Sequence, residues 1–282
     1  MIQQLKNKIG IMQGRLSPPI NNKIQAFPHN YWKNEFKVAQ DLGFELIEWI
    51  VDSKNNPIFD NDGIHEILKL SEKHEVKINS LCGDYFMDTF LFKDSEEMIR
   101  KNVDILKHLI QQCQKCDIKI LELPFVDSSS LENVVHQKQI LKNLEPVICV
   151  AEDCNVILGL ETDLEPNSFA SLLEQFGHQN VKANYDIGNS TSKNYDMDAE
   201  LDVLKKWIVN VHIKDRIGNR KTVSLGSGDV NFHDFFQKLK EISYSGNLII
   251  QGAREDLDNN ISVNETCSKY LEFVNRYIEK RI

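Results

Sequence analysis

Three side chains of this sequence could share one divalent cation: Glu161, Asp186 and His212. They stand at or near the C-terminal ends of three successive short β-rich runs. Two carboxylates and an imidazole form a shell suited to a divalent ion, beside which a further carboxylate can move a proton. His212 is the only histidine of the eight placed in a predicted strand. Over 209–214, Val209, Val211 and Ile213 form one apolar row, and Asn210, His212 and Lys214 form the polar row opposite. The run 181–187 repeats this, with Asn184 and Asp186 opposite Ala183, Tyr185 and Ile187. Glu161 shares a row with Gly159, Glu122 with Ile118 and Ile120, and Glu48 with Leu46. Taken singly, such a carboxylate is equally well a salt-bridged or hydrogen-bonded core group. Convergence of the whole set at strand ends is what points to chemistry.

The elements that must position these groups repeat along the chain. Strands are predicted over 9–14, 45–51, 77–82, 118–125, 156–162, 181–187, 209–214 and 247–253. Amphipathic helical patterns follow over 31–42, 63–74, 96–116, 131–153, 168–176, 199–207, 232–242 and 265–281. Strand starts average about 34 residues apart, the size of one βα unit. Eight such units predict an α/β fold, a single (β/α)8 TIM barrel over 1–282. An open doubly wound sheet needs no eighth unit, and no glycine-rich phosphate loop follows the first strand. Helix-to-strand links are short, whereas the strand-to-helix links 17–30, 52–62, 84–95, 215–229 and 254–264 are long. Barrel active sites are built from those long links. The link 84–95 carries Tyr85, Phe86, Phe90 and Phe92, which fit a lid or substrate wall as well as ordinary packing.

Composition sets outer bounds. The 282 residues are 41% hydrophobic and 27% charged, which are globular values. A net charge of −9 disfavours phosphate backbones and anionic lipid, so neither nucleic acid nor membrane is an expected partner. Six cysteines over such a length do not form a disulfide scaffold, and Cys113-x-x-Cys116 lacks partner ligands for zinc. No apolar run approaches the roughly 18–20 residues of a membrane span, and the first eight residues lack a secretion-signal core. A cytoplasmic protein with free thiols is the expectation. Lys280-Arg281 reads as a basic helix end that favours the helix dipole.

Four segments resemble signatures of the xylose isomerase-like TIM barrel family: Gly159-Leu-Glu161, Tyr185-Asp-Ile-Gly-Asn189, Val211-His-Ile-Lys-Asp215 and Gly226-Ser-Gly-Asp-Val-Asn-Phe232. The family includes ketose 3-epimerases, L-ribulose-5-phosphate 3-epimerase, hydroxypyruvate isomerase and inosose dehydratase, with endonuclease IV as a distant relative. The resemblance implies one divalent metal ion (Mn2+, Mg2+, Co2+ or Zn2+) held by Glu161, Asp186, His212 and the residue at the eighth strand end, here Gln251. Family members carry glutamate at that last position. Glutamine can ligate a hard cation but brings no charge and shuttles no proton near neutral pH.

The resemblance further implies a small carbohydrate substrate, enediolate chemistry, and homo-oligomers. Glu161 is then one catalytic base; Glu48, Glu122 and Lys214 are alternatives for a second acid/base. Asn189 and Glu122 are candidates for substrate contact. Arg216 and Arg254, with Lys214, could hold a phosphate or carboxylate, or instead pair with Asp215. The Gly226-x-Gly228 turn could cradle phosphate or simply turn tightly into a helix. The expected activity is a metal-dependent isomerase or epimerase on a small sugar or sugar phosphate. A sugar or cyclitol dehydratase on the same scaffold, or a barrel with degenerate activity because of Gln251, are the alternatives. A nuclease is set aside, since it needs many strand-end histidines and this chain offers one.

Overall fold

The computed structural model describes residues 7–21, 23–218, 221–254 and 262–279. Short buried runs form β1 (Ile9–Met12), β2 (Leu46–Ile50), β3 (Ser80–Cys82), β4 (Ile120–Phe125), β5 (Ile157–Thr162), β6 (Val181–Asp186) and β7 (Ile208–Ile213). β8 (Asp215–Ile217) and β9 (Lys221–Val223) pair antiparallel as a separate hairpin, and β10 (Asn247–Ile250) returns to the main sheet. Eight parallel strands close in the order β1-β10-β7-β6-β5-β4-β3-β2. The fold is therefore the TIM barrel expected from the repeat. The hairpin within 215–229 is an addition, and the eighth barrel strand stops at Ile250, just short of Gln251.

The helices are α1 (Trp32–Leu42), α2 (Asn61–His74), α3 (Tyr85–Asp88), α4 (Glu96–Lys115), α5 (Val134–Asp153), α6 (Pro166–Phe176), α7 (Ile187–Ser192), α8 (Met197–Leu204), α9 (Phe232–Glu241) and α10 (Val263–Glu279). Their apolar stripes cover the outside of the barrel. In α1, Trp32, Phe36 and Ala39 recur at helical spacing and are buried, and Gly43 ends the helix at φ 92° with its amide on the Ala39 and Gln40 carbonyls. Strand alternation separates two cores. On β2, Ile47 and Trp49 join the helix-facing core, while Leu46 and Ile50 join Met12, Cys82 and Ile249 inside the barrel. Glu48 lies between Leu46 and Ile50 in that inward row.

Two expectations are settled by packing. The aromatic link 84–95 contains α3, and its Phe86 and Phe92 are buried in the helix-facing core, with Phe92 edge-on to Phe125 at 6.1 Å. Packing, not a substrate wall, accounts for them. The six cysteines are free, and Cys113 and Cys116 are buried where α4 ends. No helix among the described residues is long and apolar enough to cross a membrane. Lys280-Arg281 and residues 255–261 of the last long loop lie outside the described residues.

Glu35 on α1 is buried, and accepts hydrogen bonds from the Gly14 amide at 3.1 Å and the Ser17 hydroxyl at 2.7 Å. Burial outweighs those bonds and pushes its carboxyl from the ordinary 4.5 up to about 7. The native state thus holds a proton here that the unfolded chain has already lost. This contribution to stability is complete below about pH 4.5 and fades as pH rises through about 7. Glu35→Gln should remove about 3 kcal/mol of pH dependence between those limits. Urea unfolding of both proteins at several pH values, with chelator present, checks this; parallel profiles would refute it.

Candidate active site at the barrel mouth

The geometry of the site is organised around His212, which is fully buried on β7. Its Nε2 lies 2.6 Å from Glu48 Oε1 and 3.4 Å from Glu122 Oε2. Its Nδ1 lies 3.3 Å from Glu161 Oε2 and 3.9 Å from Asp186 Oδ2. Glu48 takes the Nε2–H bond, which turns Nδ1 toward Glu161 and Asp186. Burial lowers the His212 pKa, but Glu48 and Glu122 outweigh it and raise it well above the ordinary value. The glutamates divide in turn. Burial pushes Glu122 well above the carboxylate range. For Glu161 burial acts upward, yet the hydrogen bond and charge of His212, with Lys214, hold it down at about 2. The two neighbouring glutamates are thus driven in opposite directions, which separates their proton affinities.

Asn184 and Asn210 tie this layer together. Asn210 Nδ2 donates to Glu48 Oε2 at 2.8 Å and to Asn184 Oδ1 at 2.7 Å, and Asn184 Nδ2 donates to Glu161 Oε2 at 3.1 Å. At Gly159 a Cβ would crowd Ile120 Cγ2 at 3.3 Å, with Asn184 at ordinary contact distance beyond it. Asp186 closes β6 and caps α7, its Oδ1 accepting the Asn189 amide at 2.9 Å. Its Oδ2 faces Lys214 Nζ at 2.7 Å. Lys214 runs against Gly188, where a Cβ would lie 2.9 Å from its Cγ. Asn189 Nδ2 donates to Glu161 Oε1 at 2.6 Å and its Oδ1 accepts from Arg216 Nη1 at 3.0 Å.

Above this layer opens a cavity of about 680 Å³, lined in part by Glu122, Glu161, Asn189, Lys214, Arg216 and Gln251. Sequence reasoning missed further lining residues, Gln25 and Asp84 among them. Gln251 Nε2 donates to Gln25 Oε1 at 3.1 Å, and Gln25 Nε2 donates to Asp84 Oδ2 at 2.7 Å. The Cys82 thiol donates to Asp84 Oδ1 at 3.1 Å. Asp84 closely follows β3, and that strand-end position was the signal available; Gln25 sits in an aperiodic loop and offers none.

Three groups considered from the sequence lie off the cavity or are already engaged within the chain. Glu48 is sealed beneath His212 and does not line the cavity, so it can orient the imidazole but cannot reach a substrate. Arg254 does not line the cavity either: it donates to the carbonyls of Ser17 at 2.9 Å, Ile24 at 3.2 Å and Gly14, fastening the first loop. The Gly226 and Gly228 amides bind Asp215 Oδ2 at 2.9 and 2.8 Å, so that turn cradles a carboxylate of the chain itself. A Cβ on Gly228 would lie 2.2 Å from Asp215 Oδ1, which is why glycine stands there.

The donor set fits a divalent cation. Among the described residues, Glu161, Asp186 and His212 offer ligand atoms within 4.8 Å of one another, as do Glu48, Glu122 and His212. In the second group Glu48 is already bonded to the ring nitrogen, so the first group, next to the cavity, is the one with a ligand position to offer. Among the described residues, the four buried carboxylates there face only His212 and Lys214 as cationic partners in ion-pair range. The buried Gln251 Oε1 has no hydrogen-bond partner among the described residues, leaving a carbonyl available to a hard ion.

Comparison with known proteins places this architecture. The xylose isomerase-like TIM barrel profile matches residues 36–267. The L-ribulose-5-phosphate 3-epimerase of Shigella flexneri is 26% identical over 231 residues, covering 78% of this chain and 81% of that protein. A solved L-ribulose 3-epimerase superposes with a TM-score of 0.79 at 16% identity, over 97% of this chain and 95% of its own. The IolI protein, crystallised with a zinc atom, superposes with a TM-score of 0.78 at 16% identity, over 98% and 99%. At such identities the superpositions establish the fold. The family match spans Glu48, Glu122, Glu161, Asp186, His212 and Gln251, and on it the chain belongs to the xylose isomerase-like TIM barrel family.

Proposed function

We propose that this protein is a divalent-metal-dependent epimerase or isomerase of a small sugar, working through an enediolate. The observation that carries the reading is the cluster of Glu161, Asp186 and His212, whose ligand atoms lie within 4.8 Å of one another and whose Glu161 lines a cavity of about 680 Å³. The epimerase names of the relatives agree with it. Glu161, Asp186 and His212 would hold the ion, with Gln251 as a neutral fourth donor. When bound, a divalent ion supplies Lewis-acid polarisation of adjacent carbonyl and hydroxyl oxygens.

The chain's own residues do the rest. Glu161 takes the proton from the carbon next to the substrate carbonyl, and the C–H electron pair passes into the enediolate. Asn189 fixes Glu161 through Oε1, so the carboxylate meets the carbon in one orientation. Lys214 and Arg216 line the same cavity and offset the developing negative charge. Glu48 holds the imidazole so that Nδ1, rather than Nε2, faces the ion site.

Metal analysis of the purified protein should find about one divalent ion per chain, and His212→Ala should lose it; no metal under any supplementation would sink the proposal. Glu48→Gln should weaken Mn2+ binding by roughly 10–100-fold in titration calorimetry. Gln251→Glu should tighten it, since the added carboxylate joins the same donor set. In D2O with Mn2+, wild-type protein should place deuterium on carbon in one of a panel of ketoses, ketose phosphates and cyclitols. Glu161→Gln should reduce that exchange by about 100-fold or more. Elimination products in place of exchange would instead identify a dehydratase.

A further inference from the structure

Two of the side chains that matter most at the mouth sit on one tight turn. β6 ends in Asp186, and α7, only six residues long, carries Asn189, whose amide holds Glu161. A helix of that length closes too few turns to keep its own shape, so what fixes it must come from outside. Its first turn is held by Asp186, which accepts the Asn189 amide at 2.9 Å. The next residue, Ser190, does not line the large cavity and bonds to α8 instead.

On α8, Glu200 is 6% exposed, and its Oε2 accepts hydrogen bonds from the Ser190 hydroxyl and, at 3.0 Å, from the Tyr185 hydroxyl. Tyr185 immediately precedes Asp186, and Ser190 immediately follows Asn189, so one carboxyl grips both flanks of the turn. The Tyr185 ring is buried and stacks on Phe235 at 6.2 Å, which leaves its hydroxyl little freedom. Glu200, Ser190, Asn189 and Asp186 also border one small cavity of about 20 Å³, so this knot stands directly behind the site.

Packing alone does not call for a glutamate at this place. Leu201 and Leu204 already supply the buried apolar stripe of α8, and burying a carboxyl costs free energy that another leucine would not. Burial pushes the Glu200 carboxyl from the ordinary 4.5 up to about 7, although both hydroxyls act to lower it. What the carboxyl adds is an acceptor for two buried hydroxyls that flank Asp186 and Asn189. Resting on the reading above, we infer that Glu200 is a positioning residue of the site. Through Tyr185 and Ser190 it holds the β6–α7 turn, so that Asp186 is set to ligate and Asn189 aims Glu161. Glu200 does not line the substrate cavity and acts only through these neighbours.

The test uses the full-length protein, with Glu200→Leu to remove the acceptor and Glu200→Gln to keep one. In the metal-free protein, amide hydrogen exchange over 187–192 should quicken by about tenfold in Glu200→Leu, while the other barrel strands keep wild-type rates. Mn2+ affinity in titration calorimetry should fall by about tenfold or more. At saturating Mn2+, kcat for deuterium uptake into a turned-over sugar should fall while KM moves little. Glu200→Gln should stay within several-fold of wild type in all three readouts. Ser190→Ala alone should weaken Mn2+ binding but add nothing to Glu200→Leu, because both act through one contact. Wild-type Mn2+ affinity in Glu200→Leu would overturn the assignment. So would a loss that Glu200→Gln shares, or a lowered melting temperature with amide exchange over 187–192 unchanged. Should Glu200→Leu fail to fold, Ser190→Ala and Tyr185→Phe decide: normal Mn2+ affinity in both overturns the role. A wild type that takes up no divalent ion removes the metal reading, and this role with it, before any variant is made. If no sugar is turned over, the epimerase reading falls, while amide exchange and Mn2+ affinity still decide this assignment.

Discussion

The structure depends on a charge balance inside the barrel. Four carboxylates, Glu48, Glu122, Glu161 and Asp186, are almost fully removed from water around one imidazole. Burying even one unpaired charge is costly, so each of these groups must find a proton, a hydrogen bond or a cation. The chain meets that requirement by dividing roles around His212. One side of the ring is locked to Glu48 by a short bond, while the other faces Glu161 and Asp186 at distances that ligands of one ion share. Asn184 and Asn210 satisfy lone pairs that would otherwise be stranded. The same electrostatics that make the cluster expensive to fold leave an arrangement whose ligand atoms could share one cation.

That requirement also explains the surroundings of the site. Gly188 stands where a Cβ would press on Lys214, so backbone is thinned where that side chain passes. Asp215 takes up the amides of the following turn, leaving Arg216, the next residue, free to reach Asn189. The positive side chains near the mouth thus have distinct tasks: Lys214 neutralises Asp186, Arg216 steadies Asn189, and Arg254 binds carbonyls.

The barrel, its strand order around the site and the inward rows of Glu161, Asp186 and His212 were legible because alternation in a strand is a two-residue signal. Alternation reports which way a side chain points but says nothing of its height along the barrel axis. Glu48 and Glu122 share the inward direction, yet one lies below the imidazole and the other at the cavity floor. Height depends on stagger between strands, and here a register shift between Ala183 and Asn184 brings Asp186 level with His212. Beyond a strand end even direction is lost. Arg254 follows β10 yet turns to the first loop, and Asp84 turns into the cavity, with nothing periodic to distinguish them. The β8–β9 hairpin was missed for a related reason, since its short, half-exposed strands carry no apolar row.

The latch between the first loop and the segment after β10 has one more implication. At this seam no βα connection joins the two neighbouring strands, and side chains take its place: Arg15 reaches the Gly252 carbonyl, Arg254 reaches Gly14 and Ser17, and Gln25 meets Gln251. During synthesis the N-terminal strands emerge well before Gln251 and Arg254 exist. The pairing of β1 with β10 and the contact of Gln25 with Gln251 bring this part of the mouth together, so closing the barrel and completing the cavity rim are one event.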